Sequence, residues 1–101
     1  MAYKVLATQK AEEDLDAIIQ YMVEKLYNPA AAASLLDKIE ALYDRLSESP
    51  FIYALCIQPL LSAQSYRKAV IGGYVVLYKV DGNTVYIERY FSDLEDYAKK
   101  L

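Results

Sequence analysis

The fold is decided by the C-terminal half of the chain, where residues 66–91 read YRKAVIGGYVVLYKVDGNTVYIERYF. Three apolar runs in this stretch are separated by Gly72-Gly73 and by Asp81-Gly82. Both dipeptides favour tight turns between antiparallel strands. The middle run is apolar at successive positions, which is typical of a strand that is covered on both faces. The stretch therefore predicts three consecutive antiparallel strands with the middle one inside the sheet.

Two amphipathic helices are predicted upstream of these strands. Apolar residues recur at helical spacing after Thr8, a good N-cap residue, and acidic residues occupy the opposite face. Asn28 followed by Pro29 is typical of the start of a second helix, because proline lacks the N–H that a first helical turn leaves unpaired. Two such helices with a short joint predict an αα-hairpin.

A first strand at residues 3–7 completes the order β-α-α-β-β-β. Ser92 and Glu95 match a capping box, which predicts a short C-terminal helix from about Asp93. We therefore predict a single α+β domain over residues 1–101, with the helical hairpin packed on a mostly antiparallel sheet. The segment Pro50–Gln64 is apolar without a clear period, so it either packs on the core or awaits a partner.

Composition narrows the possible functions. The chain has 101 residues, no histidine, one cysteine and a net charge of −3. Without histidine, catalysis would have to use carboxylates, Lys, Arg, Tyr or Ser, and neither a cofactor nor a metal site is indicated. The lone Cys56 and the lack of an apolar N-terminal leader predict a cytoplasmic protein, and no apolar run is long enough for a membrane span.

The order of elements and three blocks of sequence together resemble the RelE/ParE family of type II toxin–antitoxin toxins, which act in plasmid stabilization. The blocks are residues 3–22, YKVLATQKAEEDLDAIIQYM, residues 28–50, NPAAAASLLDKIEALYDRLSESP, and most specifically residues 66–91. The resemblance implies a small toxin that a cognate antitoxin neutralises. RelE-like members cut mRNA on the ribosome, whereas ParE-like members inhibit DNA gyrase without hydrolysis. The fold alone does not choose between these activities.

If the protein is an mRNA endonuclease, the resemblance implies catalytic roles for Arg67 and Tyr97, and substrate binding by Lys68 and Arg89. Phosphodiester cleavage needs cations around the developing negative charge and a group that moves a proton. The sequence departs from the ribonuclease pattern after the last strand, where Ser92 replaces a histidine or tyrosine and Leu94 and Glu95 replace bases. Each candidate also has a structural explanation, namely surface ion pairing for the cations and helix packing for the tyrosine.

Four tyrosines form two pairs with strand spacing, Tyr74 with Tyr78 and Tyr86 with Tyr90. If all four share the face opposite the helices, they form an aromatic surface suited to stacked bases or to a protein interface. The low positive charge favours the protein interface.

Three functional hypotheses follow. The protein is a toxin that cuts mRNA on the ribosome, or a non-enzymatic toxin that inhibits gyrase or only binds its antitoxin, or an α+β interaction module unrelated to toxins. The acidic balance and the departure at residues 92–95 favour the second hypothesis, whereas the family resemblance favours the first, so both stay open. The oligomeric state stays open between a monomer and a homodimer.

Overall fold

The computed structural model describes residues 2–57 and 59–92. Its elements are β1 (Lys4–Ala7), α1 (Gln9–Glu24), α2 (Pro29–Glu48), α3 (Pro59–Ala63), β2 (Arg67–Ile71), β3 (Tyr74–Asp81) and β4 (Thr84–Ser92). The short α3 helix was not predicted, since it lies in the segment that shows no clear period. The predicted C-terminal helix from Asp93 lies outside the described residues.

The four strands form one mixed sheet in the order β1-β4-β3-β2. The pairs β2–β3 and β3–β4 are antiparallel, and β1 runs parallel to β4. The strand β3 lies inside the sheet as its apolar pattern predicted, with Val75, Val76, Leu77 and Tyr78 buried. The predicted α+β architecture, with a helical hairpin on a mostly antiparallel sheet, is confirmed.

Both long helices begin at the N-cap residues that the sequence predicts, Thr8 and Asn28. Thr8 Oγ1 accepts a hydrogen bond from the Ala11 amide at 3.1 Å, and Asn28 Oδ1 accepts one from the Ala31 amide at 3.0 Å. These side chains satisfy amide groups that the first turn of a helix leaves unpaired. Among residues 2–57 and 59–92, no helix is long and apolar enough to cross a membrane.

Two apolar cores lie on opposite faces of the sheet. The larger one, here called the helix-side core, packs the hairpin on the sheet through buried residues that include Leu35, Leu42, Leu46, Val76, Tyr78, Ile87 and Tyr90. The smaller one, the loop-side core, consists of Cys56, Leu61, Tyr66, Val75, Leu77 and Phe91. Thus the apolar segment after α2 covers the second face of the sheet, and β3 is buried from both sides.

A β-bulge in β4 changes which face its side chains occupy. Leu77 pairs with Arg89, but the next residue, Tyr78, pairs with Ile87, so Glu88 is an extra residue in β4. The bulge reverses the alternation of side chains beyond it. Tyr90 is therefore 3% exposed in the helix-side core, whereas Tyr86 is 36% exposed.

The expectation of an aromatic surface opposite the helices is consequently wrong. Tyr74 and Tyr78 do share a face, but it is the helix side of the sheet, where Tyr78 and Tyr90 are buried core residues. The expectation assumed a regular strand, and an extra residue breaks the period of two on which it rests.

Candidate functional site

Arg89, a predicted substrate-binding residue, forms a bidentate ion pair with Asp14 of α1. Arg89 Nε donates to Asp14 Oδ2 at 2.6 Å and Nη2 donates to Oδ1 at 3.2 Å. Asp14 Oδ2 also accepts the Tyr90 amide at 3.1 Å. Both charged side chains are largely shielded from solvent, with exposures of 15% and 13%. Such planar, two-point pairing is the strongest contact that an arginine makes with a carboxylate.

The local fold explains why Asp14 reaches this position. The parallel pairing of β1 with β4 ends at Ala7 and Ile87, and the chain then enters α1. At this junction Thr8 Oγ1 donates to the Glu88 carbonyl at 3.1 Å. The start of α1 therefore continues along the edge of β4, where Asp14 accepts the Tyr90 amide that has no β1 partner. The guanidinium of Arg89 also lies 4.4 Å from the centre of the Phe91 ring.

Arg67 and Lys68, the other predicted cations, lie on neighbouring positions of β2 over opposite faces of the sheet. Arg67 pairs with Tyr78 of the helix-side core, and Lys68 pairs with Leu77 of the loop-side core. Arg67 Nη1 donates to the Tyr53 carbonyl at 2.7 Å. Its guanidinium lies 5.0 Å from the centre of the Phe51 ring. Arg67 thus anchors the segment that follows α2.

The predicted site residues are spread over different elements. Arg67 belongs to β2 and Arg89 to β4, and β3 lies between them. Two strand spacings separate their backbones by roughly 10 Å. Arg67 contacts the segment after α2, while Arg89 contacts α1. Tyr97, the predicted proton-transfer residue, lies outside the described residues.

The buried tyrosines have environments that keep them protonated. Tyr78 Oη donates to the Pro50 carbonyl at 2.9 Å, and burial raises the pKa of Tyr78 to about 12. Tyr43 and Tyr90 share a hydrogen bond of 2.9 Å between their hydroxyl oxygens. Burial raises the pKa of both, most strongly for Tyr90. A general base near neutral pH needs the opposite shift, so these three tyrosines do not suit that role.

Two of the apolar features on the described surface could receive a partner. The first, here called the loop patch, consists of exposed side chains on the segment after α2: Phe51, Ile52, Leu55, Ile57 and Leu60. The second is a groove of about 280 Å³ between α1 and one end of the sheet, lined by Ala17, Ile18, Tyr21, Tyr74 and Ser92. Within the part of the chain that the structure describes, no cluster of acidic and cysteine side chains could hold a metal ion.

Sequence reasoning missed Asp14, although a signal was present. Asp14 lies three residues after Ala11 and four before Ile18, both of which pack in the helix-side core. Residues at these spacings share a helix face. An acid within an apolar helix face indicates a buried partner, and Arg89 is that partner.

A helical hairpin on a small mixed sheet is a fold that this chain shares with chains from solved toxin–antitoxin systems. The chromosomal ParDE system from P. aeruginosa contains a chain of this fold, with a TM-score of 0.70, 22% identity, and coverage of 90% of this chain and 96% of that one. The RelBE2 toxin–antitoxin complex from Mycobacterium tuberculosis gives a TM-score of 0.64, 24% identity, and coverage of 91% and 99%. YafQ from E. coli gives a TM-score of 0.54, 14% identity, and coverage of 96% and 97%.

The sequence narrows this class to one family. A family profile described as the ParE toxin of the type II toxin–antitoxin system parDE matches residues 5–97. This chain therefore belongs to the ParE toxin family, and the predicted resemblance to RelE/ParE toxins is confirmed. No curated protein matches the chain.

Proposed function

We propose that this toxin acts by binding a protein target rather than by cutting RNA, and that a cognate antitoxin neutralises it. The observation that carries this proposal is the ion pair of Arg89 with Asp14, at 2.6 Å and 3.2 Å. An endonuclease needs cations that are available to the phosphate in the transition state. Here the charge of Arg89 is balanced by a carboxylate that would repel a phosphate.

The surroundings of the other candidates support the same conclusion. Arg67 is engaged by the Tyr53 carbonyl and the Phe51 ring, and Lys68 lies over the opposite face of the sheet. Burial raises the pKa values of Tyr43, Tyr78 and Tyr90, which moves them further from neutral pH. Among residues 2–57 and 59–92, these side chains supply neither the clustered positive charge nor the proton acceptor of a phosphodiesterase.

The partners follow from the family. Two relatives of the same fold are described as a ParDE toxin–antitoxin system and a RelBE2 toxin–antitoxin complex. By analogy, a small gene next to the one for this chain encodes the antitoxin. DNA gyrase is the target that membership of the ParE family favours, and it would place the toxin in the cytoplasm.

The proposal is tested by two assays on the same folded preparation. In the first, purified toxin is added to a translating cell extract and mRNA is examined for cuts within ribosome-occupied codons. In the second, the toxin is added to purified gyrase and supercoiling is measured. We expect intact mRNA and inhibited supercoiling, and we expect the antitoxin to reverse the inhibition.

An Arg67→Ala variant makes the first assay decisive. Cuts that appear with the native toxin and vanish with this variant would overturn the proposal and implicate Arg67 in an mRNA endonuclease site. If a toxin that still binds its antitoxin neither cuts mRNA nor inhibits supercoiling by gyrase, gyrase is not its target.

A further inference from the structure

The chain contains one long segment without charge. Residues 49–66 include no Asp, Glu, Lys or Arg, although charged residues make up 25% of the chain. The inner side of this segment is fixed to the sheet, because Cys56, Leu61 and Tyr66 belong to the loop-side core. Backbone hydrogen bonds reinforce the attachment, from Cys56 N–H to the Tyr66 carbonyl at 2.9 Å and from Lys68 N–H to the Ala54 carbonyl at 3.3 Å.

The outer side of the same segment exposes the loop patch. Ile57 is 85% exposed and Leu60 is 66% exposed, while Phe51 and Ile52 are each 57% exposed. Because the segment is held in place from below, the exposed side chains stand on a fixed backbone. Neighbouring exposed apolar side chains on a fixed frame are typical of a protein-binding surface.

Two arginines give this surface a positive border. Arg45 Nη1 donates to Tyr53 Oη at 2.6 Å, and Arg67 Nη1 donates to the Tyr53 carbonyl at 2.7 Å. Arg67 also lies over the Phe51 ring and pairs with Leu55 across a β-bridge. Both arginines bind neutral oxygen atoms, and among the described residues neither forms a salt bridge with a carboxylate. The loop patch is thus bordered by positive charge on a protein whose net charge is −3.

We infer that the loop patch docks an amphipathic segment of a partner protein in which apolar residues alternate with Asp or Glu. The apolar side chains would pack on Ile57, Leu60 and Phe51, and the carboxylates would pair with Arg45 and Arg67 at the border. Charge complementarity selects this partner, because a basic segment would be repelled at the same border. The inference deepens the proposed protein-binding function and rests on it.

Two other occupants fit the surface less well. A second copy related by a two-fold axis would place the uncharged residues 49–66 on both sides of the interface, so this segment would offer no carboxylate to the border arginines. A membrane with anionic lipids would attract the two arginines but would repel the rest of an acidic protein. Both occupants are outcomes of the experiment below.

The test selects peptides of roughly 16 residues, about four helical turns, from a random display library on the folded toxin. Bound peptides are counter-selected against Ile57→Asp, and those lost on this variant are sequenced. We expect them to be enriched in Asp and Glu at positions between apolar residues. Their affinities are then measured by fluorescence anisotropy at low and high salt.

Charge-reversed variants at one position separate electrostatics from apolar packing. Ile57→Asp and Ile57→Lys remove the same apolar contact from an exposed site, so both should stay folded. We expect Ile57→Asp to weaken binding at least roughly tenfold and Ile57→Lys to weaken it less. Leu36→Asp, which adds an acid on the outer side of α2 at a 43% exposed position, should leave binding unchanged. Raising the salt concentration should reduce the difference between the two Ile57 variants.

Several results would overturn the inference. One is a selection that yields no peptides sensitive to Ile57→Asp, or yields peptides that are basic or uncharged. If the toxin sediments with phosphatidylglycerol vesicles and Ile57→Asp abolishes this sedimentation, the loop patch binds a membrane. A dimer in analytical ultracentrifugation that Ile57→Asp dissociates would assign it to a second copy. Cleaved mRNA in the extract would instead overturn the proposed mode of toxicity and leave the peptide result standing.

Discussion

Asp14 and Arg89, 75 residues apart in sequence, join the first helix to the last strand through two hydrogen bonds of 2.6 Å and 3.2 Å. The same carboxylate accepts the Tyr90 amide at 3.1 Å. This contact ties the helical hairpin to the edge of the sheet and removes Arg89 from the set of available cations. The contact therefore affects both the stability of the fold and the positive charge that is available for function.

Asp14→Ala should destabilise the fold by roughly 2–4 kcal/mol, because it removes a largely shielded carboxylate that accepts hydrogen bonds from both a guanidinium and a strand amide. Urea unfolding measures the loss. Asp16→Ala, an exposed acid on the same helix, should change stability by no more than about 0.5 kcal/mol. In a double-mutant cycle with Arg89→Ala, the combined loss should be smaller than the sum of the single losses. Additive losses would show that the ion pair contributes nothing of its own.

The hydroxyl pair of Tyr43 and Tyr90 predicts an asymmetric response to phenylalanine. Tyr43→Phe leaves the buried Tyr90 hydroxyl unpaired, whereas Tyr90→Phe leaves the half-buried Tyr43 hydroxyl with access to water. We expect a loss of roughly 1–2 kcal/mol for Tyr43→Phe and a smaller one for Tyr90→Phe. Thermal or urea unfolding of both variants and of the double variant checks this order. A larger loss for Tyr90→Phe would contradict the assigned burial.

The raised pKa of Tyr78, about 12, predicts a loss of stability in alkali. A phenol in the unfolded chain loses its proton near pH 10, while Tyr78 in the fold keeps its proton until about pH 12. The stabilising contribution is thus complete below pH 10 and is lost as the pH rises from there to the folded pKa. Each such group contributes a slope of at most about 1.4 kcal/mol per pH unit.

Unfolding curves between about pH 9 and pH 11.5 test this slope, since the unfolded phenol titrates within that window. Tyr78→Phe should be less stable at neutral pH, because the Pro50 carbonyl loses its donor, but it should show a shallower alkaline slope. Tyr27→Phe, at an 84% exposed tyrosine, serves as the control and should keep the native slope. An unchanged slope in Tyr78→Phe would contradict the prediction.

Leu60 and Leu61 are neighbours in α3 that should respond very differently to truncation. Leu61 is 1% exposed in the loop-side core, and Leu60 is 66% exposed. Leu61→Ala should cost roughly 2–4 kcal/mol through lost burial and an internal cavity. Leu60→Ala should cost no more than about 0.5 kcal/mol. Equal effects in urea unfolding would mean that the segment after α2 does not pack on the sheet as described.

Much of the fold could be predicted because its signals are local. Thr8 and Asn28 start their helices with side chains that cap amides three residues away, and Gly-Gly and Asp-Gly dipeptides turn the chain between strands. These preferences depend on neighbouring residues alone. The helical spacing is less reliable at single positions, since Leu26 and Leu36 continue the apolar spacing of the two helices but are 53% and 43% exposed.

The candidate site was less predictable because its contacts are not local. Neighbouring positions of a regular strand point to opposite faces, and Arg67 and Lys68 accordingly pair with Tyr78 and Leu77. The partner of Arg89 was not foreseen, because nothing near Arg89 in sequence indicates Asp14. From the sequence, the segment Pro50–Gln64 could either pack on the core or await a partner. An apolar segment without a period does not reveal what it packs against.

The sequence by itself thus determined the order of the four strands and the two long helices, the helix caps, the turns and the ParE family. Only the tertiary structure decided that an extra residue at Glu88 sends Tyr86 and Tyr90 to opposite faces, and that Asp14 balances Arg89. The physical reason is the range of the interactions. Caps and turns satisfy backbone groups within a few residues, whereas a bulge and an ion pair exist only once distant strands and helices have packed together.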